Sequence, residues 1–147
     1  SQVGRGITAA HANAAVPAAD REIVSALLAT LGRLEWVETE GLIDVATAVS
    51  GSGPAYVFHL VEALAAAGAA AGLAPELAAR LARATVEGAG ELLWQSPESP
   101  ETLRRNVTSP GGTTAAALAV LMGEDGLTAL MTEAVAAAAK RSRELAG

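Results

Sequence analysis

The sequence predicts a mainly α protein: an alanine-rich helical bundle, intertwined with a partner copy, preceded by a short strand–helix–strand. Three observations carry this. From residue 40 onward alanine and leucine recur at helical spacing with no alternating pattern among them. Aromatic residues are only 3% of the 147, so the core must be made of small contacts. The two strand-like runs, "RGITAA" at 5–10 and "RLEWVE" at 33–38, both fall near the start. The length suits one ordinary domain and is too short for two full ones, and the change of character near residue 40 marks off a leading segment, 1–40, from a helical domain, 41–147.

Between the two strands, "VPAADREIVSALLATLG" reads as a helix, with Pro17 in its first turn, acidic residues after it, and Gly32 as its stop. Such a unit cannot cover both faces of its own small sheet. Helices are then predicted at 41–50, 54–72, 75–95, 100–106, 112–122 and 126–145. In the helix at 75–95, Leu77, Leu81, Ala84, Gly88 and Leu92 form one stripe, with the pairs Glu76/Arg80 and Arg83/Glu87 elsewhere on the surface. The helix at 54–72 is apolar nearly all round apart from His59 and Glu62, so it is expected to be enclosed by other helices or by a second copy of the chain. Each fully buried Leu or Val contributes roughly 1.5–3 kcal/mol, and a core this poor in large side chains favours interlacing with a partner. Lys140, Arg141 and Arg143 close the last helix, where cations complement its dipole.

Several function classes are excluded. A formal net charge of −6 argues against a nucleic-acid partner. The absence of cysteine removes disulfides, thiolate chemistry and cysteine–zinc sites, and makes the cytoplasm the expected compartment. His11 and His59 have no metal-ligand spacing, so no metal is expected. The opening residues lack the charged flank and apolar run of a signal peptide. "AYVFHLVEALAAAGAAAGL" approaches membrane-spanning length but contains His59 and Glu62, and reads as a buried helix.

Two glycine-rich stretches invite chemistry. "VSGSGPAYVF" is not a dinucleotide fingerprint, because Tyr56 stands where the third glycine belongs, and no lysine follows to make it a phosphate loop. It reads better as a break between helices, with Ser52 as a cap and Pro54 opening the next helix. "VTSPGGTT" places Ser109, Gly111, Gly112, Thr113 and Thr114 at a helix mouth, where unpaired N–H groups and the positive dipole end favour an anion. Arg104 and Arg105 on the preceding turn would bias the local field. A plain turn with a threonine cap and no ligand explains the same stretch equally well.

"AVSGSGPAYVFHLVEALAAAGAAAGL" and "LRRNVTSPGGTTAAALAVL", at this separation, resemble the C-terminal half of pyrroline-5-carboxylate reductase. "GRGITAAHAN" and "GRLEWVETEGLIDVATAVSGSGPAY" extend the resemblance over essentially the whole chain. The resemblance implies that residues 1–40 end a Rossmann domain and that 41–147 form the dimerisation and substrate domain, assembled as a homodimer or higher homo-oligomer. It implies NADPH or NADH as cofactor of the full-length enzyme, with none expected on this chain, because the opening strand and glycine fingerprint are absent. The substrate it implies is a cyclic imino acid whose carboxylate meets Ser109, Gly111, Gly112, Thr113 and Thr114, with Thr114 facing the ring nitrogen as a positioning group or proton relay. A purely structural oligomerisation module is the alternative, and an independent enzyme using the GSGPAY loop for phosphate is a third.

Overall fold

The computed structural model describes residues 4–147. The chain divides into two compact units: the described residues up to Gly53 together with Thr132–Gly147, and Pro54–Met131.

In the first unit, strand β1 (Gly6–Ala10), helix α1 (Ala18–Ala29) and strand β2 (Gly32–Trp36) form a parallel pair with a helical crossover, in register from Gly6↔Gly32 to Ala10↔Trp36. Pro17 is the N-cap of α1 rather than a residue of its first turn. The helix ends before Gly32, which opens β2 instead of stopping α1. Gly32 has φ +144°, and a Cβ there would fall on the Gly6 carbonyl, so strand pairing demands the glycine. Trp36 fastens the crossover to the sheet: its Nε1 donates to Ser25 Oγ at 3.0 Å, and the Arg21 guanidinium lies 4.3 Å from its ring centroid. The pairing continues past β2 through the Val37 N–H, which donates to the Ala10 carbonyl at 2.8 Å. On α1, Ile23 and Leu27 are 60% and 64% exposed, so the described residues leave the outer face of the crossover largely open.

Helix α2 (Gly41–Ala46) runs directly into a π-helical turn, Thr47–Gly51, closed by the Ser52 N–H to the Thr47 carbonyl at 2.9 Å. The expected break between helices falls at Ser52, a bend between the π turn and the next helix. Neither Gly51 nor Gly53 has a positive φ, and α3 (Gly53–Ala70) starts one residue beyond the π turn. The widened turn takes up the irregularity while keeping the backbone hydrogen-bonded. Ser142 Oγ donates to Asp44 Oδ1 at 2.6 Å, tying α2 to the C-terminal part of α7 (Leu127–Ala146) within the same unit.

The second unit contains most of α3, then α4 (Pro75–Gln95), α5 (Pro100–Asn106), α6 (Thr113–Leu121) and the start of α7. Among the described residues only Ala48, Ala78, Ala82 and Ala139 are buried apolar groups. On α4 the covered positions are thus Ala78 and Ala82, whereas Leu81 and Leu92 of the predicted stripe are 50% and 47% exposed. The stripe exists, but the described residues leave it about half open. Helix α3 likewise has no buried residue, so its own chain does not enclose it. The charged spacing is realised at Arg83 and Glu87, 2.7 Å apart, where the hydrogen bond to Glu87 and then its charge push the guanidinium further above its ordinary pKa. No helix among the described residues is long and apolar enough to cross a membrane.

Candidate functional site

The "SPGGTT" stretch lies wholly in the second unit and is built from short-range chemistry. Pro100 fits the first position of α5, and Ser99 caps it by accepting from the Thr102 N–H at 3.2 Å. After α5 the chain turns tightly. The Gly112 N–H donates to the Ser109 carbonyl at 3.0 Å, with Pro110 and Gly111 between them. Gly111 has φ +69°, which is the third position of a type II turn, and proline suits the second. Helix α6 then begins with Gly112 as N-cap in an extended conformation and no side-chain capping bond.

The threonine cap expected in the plain-turn reading is not formed, the N-cap being Gly112. The first intrahelical bond is Ala116 N–H to the Gly112 carbonyl, leaving the amides of Thr113, Thr114 and Ala115 without an acceptor inside the helix. Ser109, Gly111 and Thr113 are exposed and Thr114 is half-buried, all within six residues of chain. Gly112 has its N–H committed to the turn, so what it offers a ligand is shape. A Cβ there would stand 3.2 Å from the Ser109 carbonyl oxygen.

The arginines lie elsewhere. Arg104 Nη1 is 3.1 Å from Met122 Sδ, at the opposite end of α6, where a cation complements the carbonyl end of the dipole. Arg105 leans toward Glu101 and Thr102 within α5. The partners of both guanidiniums thus lie away from the first turn of α6, whose own polar groups are backbone amides. The sequence reading passed over Thr108, whose hydroxyl donates to the Arg104 carbonyl at 2.6 Å. A hydroxyl residue just past a helix end was the available signal.

His11 Nδ1 lies 3.2 Å from the Val37 carbonyl, and His59 pairs with Glu62 at 3.0 Å on the exposed face of α3. No group of three or more His, Cys, Asp or Glu side chains gathers among the described residues. The link from β1 to α1, residues 11–17, contains no glycine and presents Pro17 at the helix N-cap, which does not fit a dinucleotide pyrophosphate.

A strand–helix–strand followed by helices whose buried residues, among those described, are alanines defines a class: a helical domain with much apolar surface left open in a single chain. Its family follows from comparison with known proteins. Residues 40–145 match the family described as pyrroline-5-carboxylate reductase dimerisation, and the chain belongs to that family. It is 45% identical over 142 residues to the pyrroline-5-carboxylate reductase of Pseudomonas aeruginosa, covering 97% of this chain and 52% of that protein. Among solved structures it resembles the Coxiella burnetii pyrroline-5-carboxylate reductase at 38% identity and TM-score 0.85, covering 97% of this chain and 53% of that one. It also resembles the Plasmodium falciparum pyrroline carboxylate reductase, solved with NADP bound, at 33% identity and TM-score 0.76, covering 99% and 55%. The chain spans about half the length of the curated relatives it matches.

Proposed function

We propose that this chain is the dimerisation and substrate half of an NAD(P)H-dependent pyrroline-5-carboxylate reductase, the enzyme that reduces 1-pyrroline-5-carboxylate to L-proline. The observation that carries the proposal is an unsubstituted SPGGTT motif at an uncapped helix mouth, in a chain of this family. In this reading residues 1–40 end the nucleotide-binding domain and 41–147 form the helical domain. A second copy covers the exposed leucines of α4 and the apolar surface of α3, giving a homodimer or higher homo-oligomer. The absence of cysteine supports a reducing compartment, the cytoplasm.

The substrate carboxylate sits against the first-turn amides of α6, with the Ser109 hydroxyl donating to it and Gly111 and Gly112 admitting it close to the backbone. The Thr114 hydroxyl faces the ring nitrogen. Reduction adds a hydride from NADPH or NADH to the imine carbon and a proton to the nitrogen, the dinucleotide being held outside the described residues. Thr114 orients the nitrogen and passes it a proton from solvent, so this half of the enzyme works by positioning and electrostatics.

Calorimetric titration of the purified chain with L-proline and with prolinamide tests this. Carboxylate-dependent binding that is lost in Ser109→Ala is expected. Equal responses to the acid and the amide, or none to either, would favour a purely structural module.

A further inference from the structure

We infer that Thr108 is a positioning residue for the substrate turn, an inference that rests on the reading of that turn as the carboxylate site. Thr108 gives both of its donors back to the end of α5. Its hydroxyl goes to the Arg104 carbonyl at 2.6 Å, in a half-buried setting, and its N–H to the Arg105 carbonyl at 3.0 Å. These are two of the last four carbonyls of the helix, which have no intrahelical partner. The next residue is Ser109, whose carbonyl closes the turn on the Gly112 N–H.

The chain therefore passes from α5 to α6 through two consecutive hydrogen-bonded clamps with no free residue between them. The first aims Ser109, and the second aims the α6 amides. Because the Thr108 hydroxyl is spent on Arg104, it is not a donor for the anion; it acts through Ser109. Helix α5 does not need Thr108 in order to form, since Ser99 caps its other end and Asn106 Nδ2 donates to Glu98 Oε2 at 3.1 Å across it. Losing the Thr108 hydroxyl should free the turn to swing while α5 stays in place.

The test uses steady-state kinetics of the intact reductase. Thr108→Val preserves side-chain volume and removes the hydroxyl, and Thr108→Ala serves as a second deletion should valine impair folding. Either is expected to raise KM for the cyclic imine about five- to tenfold, with kcat and the dinucleotide KM changed by less than about twofold, and Thr108→Ser should restore the parental KM. Ser99→Ala, which weakens α5 from its far end, should lower the melting temperature and leave the imine KM alone. If Ser109→Ala raises the imine KM and the Thr108 deletions do not, the positioning role is wrong and the carboxylate site stands. If neither changes it, the site reading falls and this inference with it. An equal KM rise in Ser99→Ala, or failure of serine to rescue, would show that Thr108 matters only for the stability of α5.

Discussion

Phe58 is the largest uncovered apolar group on α3, 67% exposed in a single chain, and it borders a concavity of about 360 Å³ shared with Val57, Val61, Val86 and the Arg83–Glu87 pair. In a monomer Phe58→Ala would alter stability by no more than about 0.5 kcal/mol, the ordinary effect of a surface substitution. Under a second copy the result differs. Fully burying phenylalanine contributes roughly 1.5–3 kcal/mol, so covering the two-thirds left open amounts to about 1–2 kcal/mol per copy. A two-fold interface doubles this to about 2–4 kcal/mol per dimer, or about thirty- to several-hundredfold in Kd. Sedimentation equilibrium across a concentration series reads that change directly. Ile23→Ala on α1 is the control, because the proposal assigns that equally exposed face to the nucleotide domain, and it should leave Kd unchanged. A parental chain that is monomeric at micromolar concentration, or a Phe58→Ala variant with unaltered Kd, would refute the assignment of α3 to the interface.

Thr114→Ala in the intact reductase should lower kcat/KM by about 1.5–3 kcal/mol, the range for a hydrogen bond to a charged group, with little change in melting temperature. Thr113→Ala, one residue earlier and about 100° around the helix, should leave turnover near parental, and parity between the two variants would remove Thr114 from the site. Gly111→Ala places a Cβ in open space but at φ +69°, so its cost is backbone strain alone, about 1–2 kcal/mol in a denaturant melt; no loss would mean that the turn relaxes freely. Ser142→Ala deprives the half-buried Asp44 carboxylate of its donor and should destabilise the protein by about 1–2 kcal/mol in the same assay, whereas an unchanged midpoint would show that water replaces the hydroxyl. Calorimetry with NADPH should show no low-micromolar binding to this chain, since the β1–α1 link lacks the glycine turn that holds a pyrophosphate; tight binding would relocate the nucleotide site.

The parts of the fold set by neighbours in sequence were legible before the structure. Helices α4 and α5 span 75–95 and 100–106, the bounds expected from the sequence, and each has a proline in its first turn, a signal that acts locally. The SPGG turn was legible for the same reason. Gly32 was not, since helix stop and strand start make similar local demands on a glycine, and only strand pairing with Gly6 distinguishes them. Arg104 stood beside the turn in sequence, but its long side chain reached Met122 at the far end of α6, a choice made by the space around it. The sequence by itself determined the helical class, the apolar stripe of α4 and the residues of the candidate site. Only the tertiary structure decided that one chain covers Ala78 and Ala82 and leaves Leu81 and Leu92 open. Periodicity records that a face is apolar, but what covers that face depends on surfaces that no local pattern encodes.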